Sequence, residues 1–355
     1  MKINSLPKVL VALFATCIIS YVLSSCRDNA IPLQEKSKVS ESYNSTFLEF
    51  KDVKAFMAKL TEVSKMKKEQ LGEWEQSRGF VSMRSIYENI LDLELKTIEE
   101  EEQKINDNPS LKSQMKHKFS DLYGNNKEVI QLTDYGFEIN SPDLAYASLI
   151  NKNGIVKIEG DIYQFSRNKV KIIKSGDVNK ISSLKNFNDN GKFDNIEVQS
   201  ILTNQPIFQK NARPNWEGRC DSDNGSYWLT AWFTTSQVPM YFNGTPVTSL
   251  RTTITSRHLR RSWFGWIDHN TTSYSASGSF ALTIQLPTAN FYGGSLPNNQ
   301  GYPFSTGQGW AGNTAYAQYG LTDNLALGHP NYTVYLINNA STTFNFLDRS
   351  CTVNY

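Results

Sequence analysis

The chain has 355 residues, 39% of them hydrophobic and 20% charged, with a formal net charge of +2. That length predicts two or three domains with enough apolar content for real cores. A charge balance near zero argues against a nucleic-acid partner, and 12% aromatic content excludes wholesale disorder and collagen-like fibres.

Lys2 and Lys8 form a short positive region, followed by a mostly apolar, uncharged run from Val9 to Leu23. About fifteen residues fall short of the roughly twenty that a bilayer span needs, and fit the core of a secretory signal. The run ends in Leu23-Ser24-Ser25-Cys26, which resembles the bacterial lipobox. The resemblance implies a signal peptide over 1–25, cleavage before Cys26, and lipidation of the Cys26 sulfur, with palmitate-type acyl chains as the membrane anchor. Small side chains suit the cleavage pocket, and only a thiol supplies the nucleophile for a thioether. Each buried methylene adds about 0.8 kcal/mol, so several chains anchor stably where one is marginal. Arg27 follows the cysteine and Asp28 comes next. By resemblance to lipoprotein sorting, this favours the outer membrane or cell surface. The alternative is an ordinary signal peptide whose cleavage site lies near a cysteine. Residues 26–45 are polar and aperiodic and read as a flexible tether.

Val53, Phe56, Met57, Leu60 and Val63 recur at spacings of three and four, an amphipathic helix with Asp52 as N-cap. A short segment around Leu71 and Trp74 follows. A second helix carries Met83, Ile86, Tyr87, Ile90 and Leu91, with Ser82 as cap, and runs into Glu99–Glu102, read as a solvated helical end. Asn108-Pro109-Ser110 stops it, and Ser110 to Leu122 reads as a third helix. The period then changes: 154–159 and 161–165, joined at Gly160, form a hairpin, and Lys169–Lys174 and Asn195–Leu202 add strands, with a turn at Asn188–Gly191. Residues 46–205 are expected to form an α+β module.

Composition shifts near residue 206. In 26–205, 54 of 180 positions are charged; in 206–355 only 14 of 150 are, Lys210 is the sole lysine, and six of the seven tryptophans lie there. The shift marks two folding units, with 206–218 as linker between prolines. Runs at 227–233, 250–256, 277–285, 332–337 and 341–346 are bounded by Gly, Pro and Asn and predict an all-β antiparallel, sandwich-like domain over 219–355. Residues 287–330 read as a long Gly- and Asn-rich loop, either functional or mobile. Cys17 leaves with the signal and Cys26 takes lipid, so Cys220 and Cys351 remain as a disulfide pair for an oxidising compartment. Joined, they would close a loop of about 130 residues, worth on the order of 4–5 kcal/mol less strain. The alternative is two free buried thiols.

The lipobox, Trp74 within GEWEQSRGF, the segment Asp143–Asn151 before the 154–165 hairpin, and the stretch Arg257–Trp266 together resemble uncharacterised lipoproteins of Bacteroides-type bacteria. That family has no known activity, so the resemblance implies location and architecture and no catalytic residues.

Within Arg257–Trp266, Arg257, His258, Arg260 and Arg261 stand beside Trp263, Phe264 and Trp266. Guanidinium forks recognise carboxylate, sulfate or phosphate, and tryptophan faces stack on sugar rings. These residues, with Trp310 and Tyr302 from the long loop, are the candidate ligand contacts; the alternative is arginines stacked on framework tryptophans. Asp268-His269 with nearby serines lacks a GxSxG elbow. Asp221–Gly225 misses the calcium-loop pattern and reads as a turn. No metal site or cofactor motif emerges. The expectation is a non-catalytic surface protein binding a glycan or an anionic ligand. A hydrolase using unpaired carboxylates and an assembly protein contacting another envelope protein are its rivals.

Overall fold

Asp52 stays extended, and its carboxylate accepts the Ala55 N–H at 2.7 Å, which starts α1 (Val53–Val63). Val53, Phe56, Leu60 and Val63 are all buried, as their spacing requires. The Leu71/Trp74 segment is a helix, α2 (Lys68–Gln76). Ser82 accepts the Ser85 N–H at 3.1 Å and opens the 25-residue α3 (Met83–Asp107), which gives way at Asn108 to a 3-10 turn, Pro109–Leu111. The computed structural model describes residues 47–111, 121–133, 136–204, 218–221, 227–262, 265–268, 274–285, 300–306, 311–312, 316–328, 333–346 and 349–354. The signal peptide, Cys26 and the whole tether therefore lie outside the described residues, as does most of the third expected helix; helical backbone is present at 121–126.

The acidic end of α3 departs from expectation. Glu99 and Glu100 are exposed, but Glu101 is buried and Glu102 bonds Arg260, so the run is only half solvated. Deeper in the helical layer Arg84 is fully buried and donates to Glu88 Oε1 at 2.7 Å and to Met66 O at 3.3 Å. Nearby Glu75 accepts from Ser85 Oγ at 2.8 Å, and burial pushes its carboxyl above the ordinary glutamate value.

A six-stranded sheet follows the order β1 (Glu49–Phe50), β4 (Ile155–Ile158), β5 (Asp161–Phe165), β6 (Lys169–Ile173), β8 (Ile196–Ser200), β7 (Gly191–Phe193). β2 (Ile130–Thr133) and β3 (Gly136–Ile139) form a separate pair, and α4 (Leu144–Leu149) is buried along its whole length. The chain is thus α+β, as expected.

The second half is built from strands much longer than the short runs in the sequence. β11 (Tyr227–Phe242) and β12 (Thr245–Ser262) form a hairpin flanked by β10 (Gly218–Asp221), β9 (Leu202–Asn204), β13 (Gly265–Asp268), β17 (Tyr316–Leu327) and β16 (Ala311–Gly312), a seven-stranded sheet. A four-stranded sheet runs β15 (Gln300–Thr306), β14 (Tyr274–Gln285), β18 (Thr333–Phe346), β19 (Arg349–Asn354). Two readings change. The stretches expected as separate strands at 332–337 and 341–346 are one strand, because a register shift against β14 between Ser279 and Ala281 absorbs Asn338–Ala340. The expected loop over 287–330 contains β17, which pairs with β12 from Val247–Leu327 to Arg257–Tyr316. Its Gly, Asn and Thr content masks a strand that tertiary pairing imposes.

The described residues fall within one compact unit, Ser45–Tyr355. Val238, Met240, Phe242 and Val247 share a single core with Phe56, Tyr146 and Phe165, so the two compositional halves are packed together. Polar contacts reinforce this joint. Arg251 donates to Asp143, both being about 1% exposed, and Asp143 also caps α4 by accepting the Tyr146 N–H at 2.8 Å. Tyr146 Oη donates to Ser249 Oγ at 3.0 Å. Each such bond leaves a costly orphan if one partner is removed.

Candidate functional site

The arginines grouped in the sequence do not stay grouped. Arg257 is 2% exposed, within the seven-stranded sheet. Arg260 donates from both terminal nitrogens to Glu102 of α3, at 3.2 and 2.8 Å. Arg261 is exposed and lines a shallow cleft of about 490 Å³ with Glu102, Asn106 and Ser262. Arg260 and Arg261 thus both lie near Glu102, one bonded to it and the other at the exposed cleft beside it. Trp266 sits on β13 opposite Arg261, and Tyr302 on β15 opposite Phe280. Trp263, Phe264, His269 and Trp310 lie outside the described residues. Cys220 is on β10 and Cys351 on β19, two strands whose backbones lie side by side; no disulfide is present among the described residues.

A different cluster forms at one end of the six-stranded sheet. Three turns of that sheet meet there: Glu159-Gly160 between β4 and β5, Ser175-Gly176 after β6, and Asp194-Asn195 between β7 and β8. The Asn243-Gly244 turn of the β11–β12 hairpin joins them. Glu159 and Gly160 have φ of 52° and 84°, and Asn243 and Gly244 have 49° and 71°, the primed geometry that suits two-residue hairpins. Ser175 (67°) and Asp194 (57°) also lie in the left-handed region. Asn and Asp tolerate it, whereas Glu159 and Ser175 each carry a cost of about 1–2 kcal/mol. Close packing enforces the arrangement: a Cβ at Gly176 would lie 2.1 Å from the Gly160 carbonyl oxygen. Of the four positive-φ non-glycine residues among the described residues, Glu159 and Asp194 line one cleft, and Ser175 and Asn243 are chain neighbours of its lining residues Lys174 and Gly244.

That cleft has a volume of about 500 Å³ and is lined by Glu159, Asp161, Asp194, Glu197, Lys174, Lys192, Asn195 and Tyr241, among others. Its polar groups hold each other. Asp161 accepts from Lys174 Nζ at 3.0 Å and from the Ser175 N–H at 3.0 Å. The Lys174 ammonium lies 3.1 Å from the centroid of the Tyr241 ring, a cation–π contact. Tyr241 Oη donates to Glu197, with its two oxygens at 2.9 and 2.7 Å, and the Tyr241 N–H donates to Tyr163 Oη at 3.2 Å. Burial, and then the Glu197 hydrogen bond, push the Tyr241 phenol well above its usual range; Tyr163 is raised by burial and the nearby Asp161 charge. The exposed Asp194 carboxyl is held low by its bond from Lys180 Nζ at 2.8 Å. Glu159 Oε1 accepts the Asn243 N–H at 2.7 Å, while its buried Oε2 has no hydrogen-bond partner among the described residues.

Chemically the cleft offers fixed acceptors, ammonium donors and one aromatic ring. Among the described residues, no group of three or more His, Cys, Asp or Glu is arranged to hold a metal ion. No helix there is long and apolar enough to cross a membrane. The Gly160 turn is legible in the sequence, but the turn expected at Asn188–Gly191 precedes β7 while the cleft turn is Asp194-Asn195, and nothing in the sequence signals the meeting of Glu159 with a hairpin tip 84 positions away.

No family model and no curated protein matches the chain. Among solved structures it is similar to a DUF4848 family protein from Bacteroides thetaiotaomicron, at 12% sequence identity and a TM-score of 0.28, over 88% of this chain and 97% of that one. A likeness at that level transfers neither fold nor function.

Proposed function

We propose that this is a non-catalytic, lipid-anchored binding protein of the bacterial cell envelope that takes a hydroxyl-rich, glycan-type ligand in the Glu159–Tyr241 cleft. The observation that carries the reading is one polar cleft lined by residues of three left-handed turns, at Glu159, Asp194 and Gly244, since strain of this kind gathers where a site must be held in shape. Carboxylate and amide acceptors, lysine donors and a tyrosine ring are the groups that recognise sugar hydroxyls and ring faces. Asp161, Asp194 and Glu197 each accept bonds from protein donors, which fixes their oxygens as acceptors around the cleft. The anionic-ligand reading of the β12–β13 hairpin rests, among its arginines, on Arg261, because Arg257 is buried and Arg260 is held by Glu102.

The Leu23–Cys26 lipobox supports envelope anchoring. Incorporation of labelled palmitate into the full chain, lost in Cys26→Ser, is the expected result. A sandwich-like pairing of the two large sheets, bridged by Cys220 and Cys351, belongs to the same proposal; the adjacency of β10 and β19 supports it.

Affinity electrophoresis of the mature chain through gels containing starch, hydroxyethylcellulose, mannan or polygalacturonate tests the binding role, with reducing ends assayed in the same mixtures. Retardation without new reducing ends is expected. Cleavage would make the protein a hydrolase, and no retardation in any gel would favour the assembly role.

A further inference from the structure

Helix α2 is thinly held. It has nine residues, and helices of fewer than about twelve are marginal in water by themselves. Only Leu71 and Glu75 are buried, with Trp74 half-buried against the core. The Trp74 indole N–H is out of solvent and meets no acceptor among the described residues. Lys68 pairs with Asp92 of α3, but their side chains are 40% and 45% exposed, so the pair contributes little. One of the two buried residues that fasten α2 is therefore an acid.

The charges around that acid do not balance. Glu75 is 5% exposed and takes hydrogen bonds from Ser82 and from the Ser85 hydroxyl, the latter at 2.8 Å. Arg84 is committed elsewhere: Nε donates to Glu88 at 2.7 Å, Nη1 to Ser148 Oγ at 3.4 Å and Nη2 to Met66 O at 3.3 Å. Glu88 is itself buried, and its Oε2 has no partner among the described residues. Glu69 and Glu73 of α2 are exposed, and Arg78 beyond its end lies over the Trp74 ring. The seam between α2 and α3 thus buries two carboxylates around one arginine. A buried carboxyl without an ion partner of its own is held more cheaply neutral than ionised. Burial accordingly pushes Glu75 above the ordinary glutamate value, against the serine bonds and the Arg84 charge, which pull it down.

We propose that Glu75 makes α2 a pH-sensitive clasp: with Glu75 protonated the helix is seated on α3, and as Glu75 ionises the helix loosens while the core beneath it stays folded. The sign follows from the direction of the shift. A carboxyl raised in the folded state binds its proton more tightly there than in the open one. Its stabilisation is complete below the ordinary glutamate value and is lost as pH rises through the raised one. Local opening of this kind belongs to segments with few buried apolar contacts, and α2 is one. The device is independent of the Glu159–Tyr241 cleft.

The experiment is hydrogen exchange read by mass spectrometry on the mature chain, from about pH 4.5 to about pH 8, with rates corrected for the intrinsic pH dependence of exchange. Peptides covering 68–76 report on α2, and peptides covering 53–63 serve as the internal reference. In the wild type, protection of α2 relative to α1 is expected to fall at least about threefold as pH rises. Glu75→Gln keeps an amide oxygen that can accept the Ser85 hydroxyl and has no charge to gain, so α2 should stay protected throughout. Ser85→Ala removes a donor that favours the ionised form, and should move the fall to higher pH. A flat wild-type profile, or a Glu75→Gln chain whose α2 still follows pH, overturns the proposal. Should Glu75→Gln fail to fold, Ser85→Ala decides: a midpoint that does not move overturns it equally.

Discussion

At one end of the β11–β12 hairpin, three arginines that are neighbours in the sequence go separate ways: Arg257 inward, Arg260 to Glu102, Arg261 to the surface. At the other end the Asn243-Gly244 turn meets Glu159, 84 positions earlier, and groups scattered from 159 to 244 line a single cleft. Different neighbours along one strand give adjacent arginines different burial and partners, while sheet topology collects what is distant. A cluster in the sequence is therefore weak evidence for a site on a β-strand, and turns that stack at one end of a sheet are stronger evidence than their residue types suggest.

The largest effect is expected between the two ends, where Arg251 joins the hairpin to Asp143 at the cap of α4. Arg251→Ala leaves a buried carboxylate without its ion partner and should cost about 3–5 kcal/mol in urea denaturation. Because the core is continuous across the halves, unfolding should remain one transition by fluorescence and circular dichroism alike. Two separated transitions in the wild type would instead mean that the halves fold independently and that the cleft end is a loose contact.

Tyr241→Phe comes next. It removes the hydroxyl donated to Glu197 but keeps the ring beneath Lys174. A hydrogen bond to a charged group contributes about 1.5–3 kcal/mol, and the half-buried setting brings the expected loss to its lower end. Glycan affinity should fall with it, since Glu197 would turn from its fixed position. Stability lost with affinity unchanged would place the ligand elsewhere.

How much of this was readable from the residues follows the range of the forces involved. Local signals were read correctly: Asp52 and Ser82 cap their helices, Gly160 turns its hairpin, and Asn108-Pro109 ends α3. These depend on side chains within four positions of one another. The sequence shows the long strands only as short runs and β17 as loop-like, because their Thr, Ser and Gly positions are strand only by virtue of their partners; Thr235 and Thr252, buried and 3.1 Å apart, illustrate this. The solvated reading of Glu99–Glu102 failed for the same reason, as the partner of Glu102 lies 158 positions away. The cleft residues carry no motif at all, and only the order β4-β5-β6-β8-β7 brings them to one end.

Smaller effects separate the two ends directly. Arg260→Ala breaks a two-pronged pair whose side chains are about one-fifth exposed, so roughly 1 kcal/mol of stability should be lost, with glycan affinity unchanged. Arg261→Ala should be smaller still. Its guanidinium is exposed, and substitutions away from buried networks stay within about 0.5 kcal/mol. Its informative readout is therefore binding, measured in the affinity gels beside Tyr241→Phe. With the ligand in the cleft, Arg261→Ala leaves retardation intact, since the residue belongs to the separate groove with Glu102 and Asn106. A loss of retardation in Arg261→Ala, with Tyr241→Phe unchanged, would reverse the comparison and return the site to the arginine end of the hairpin.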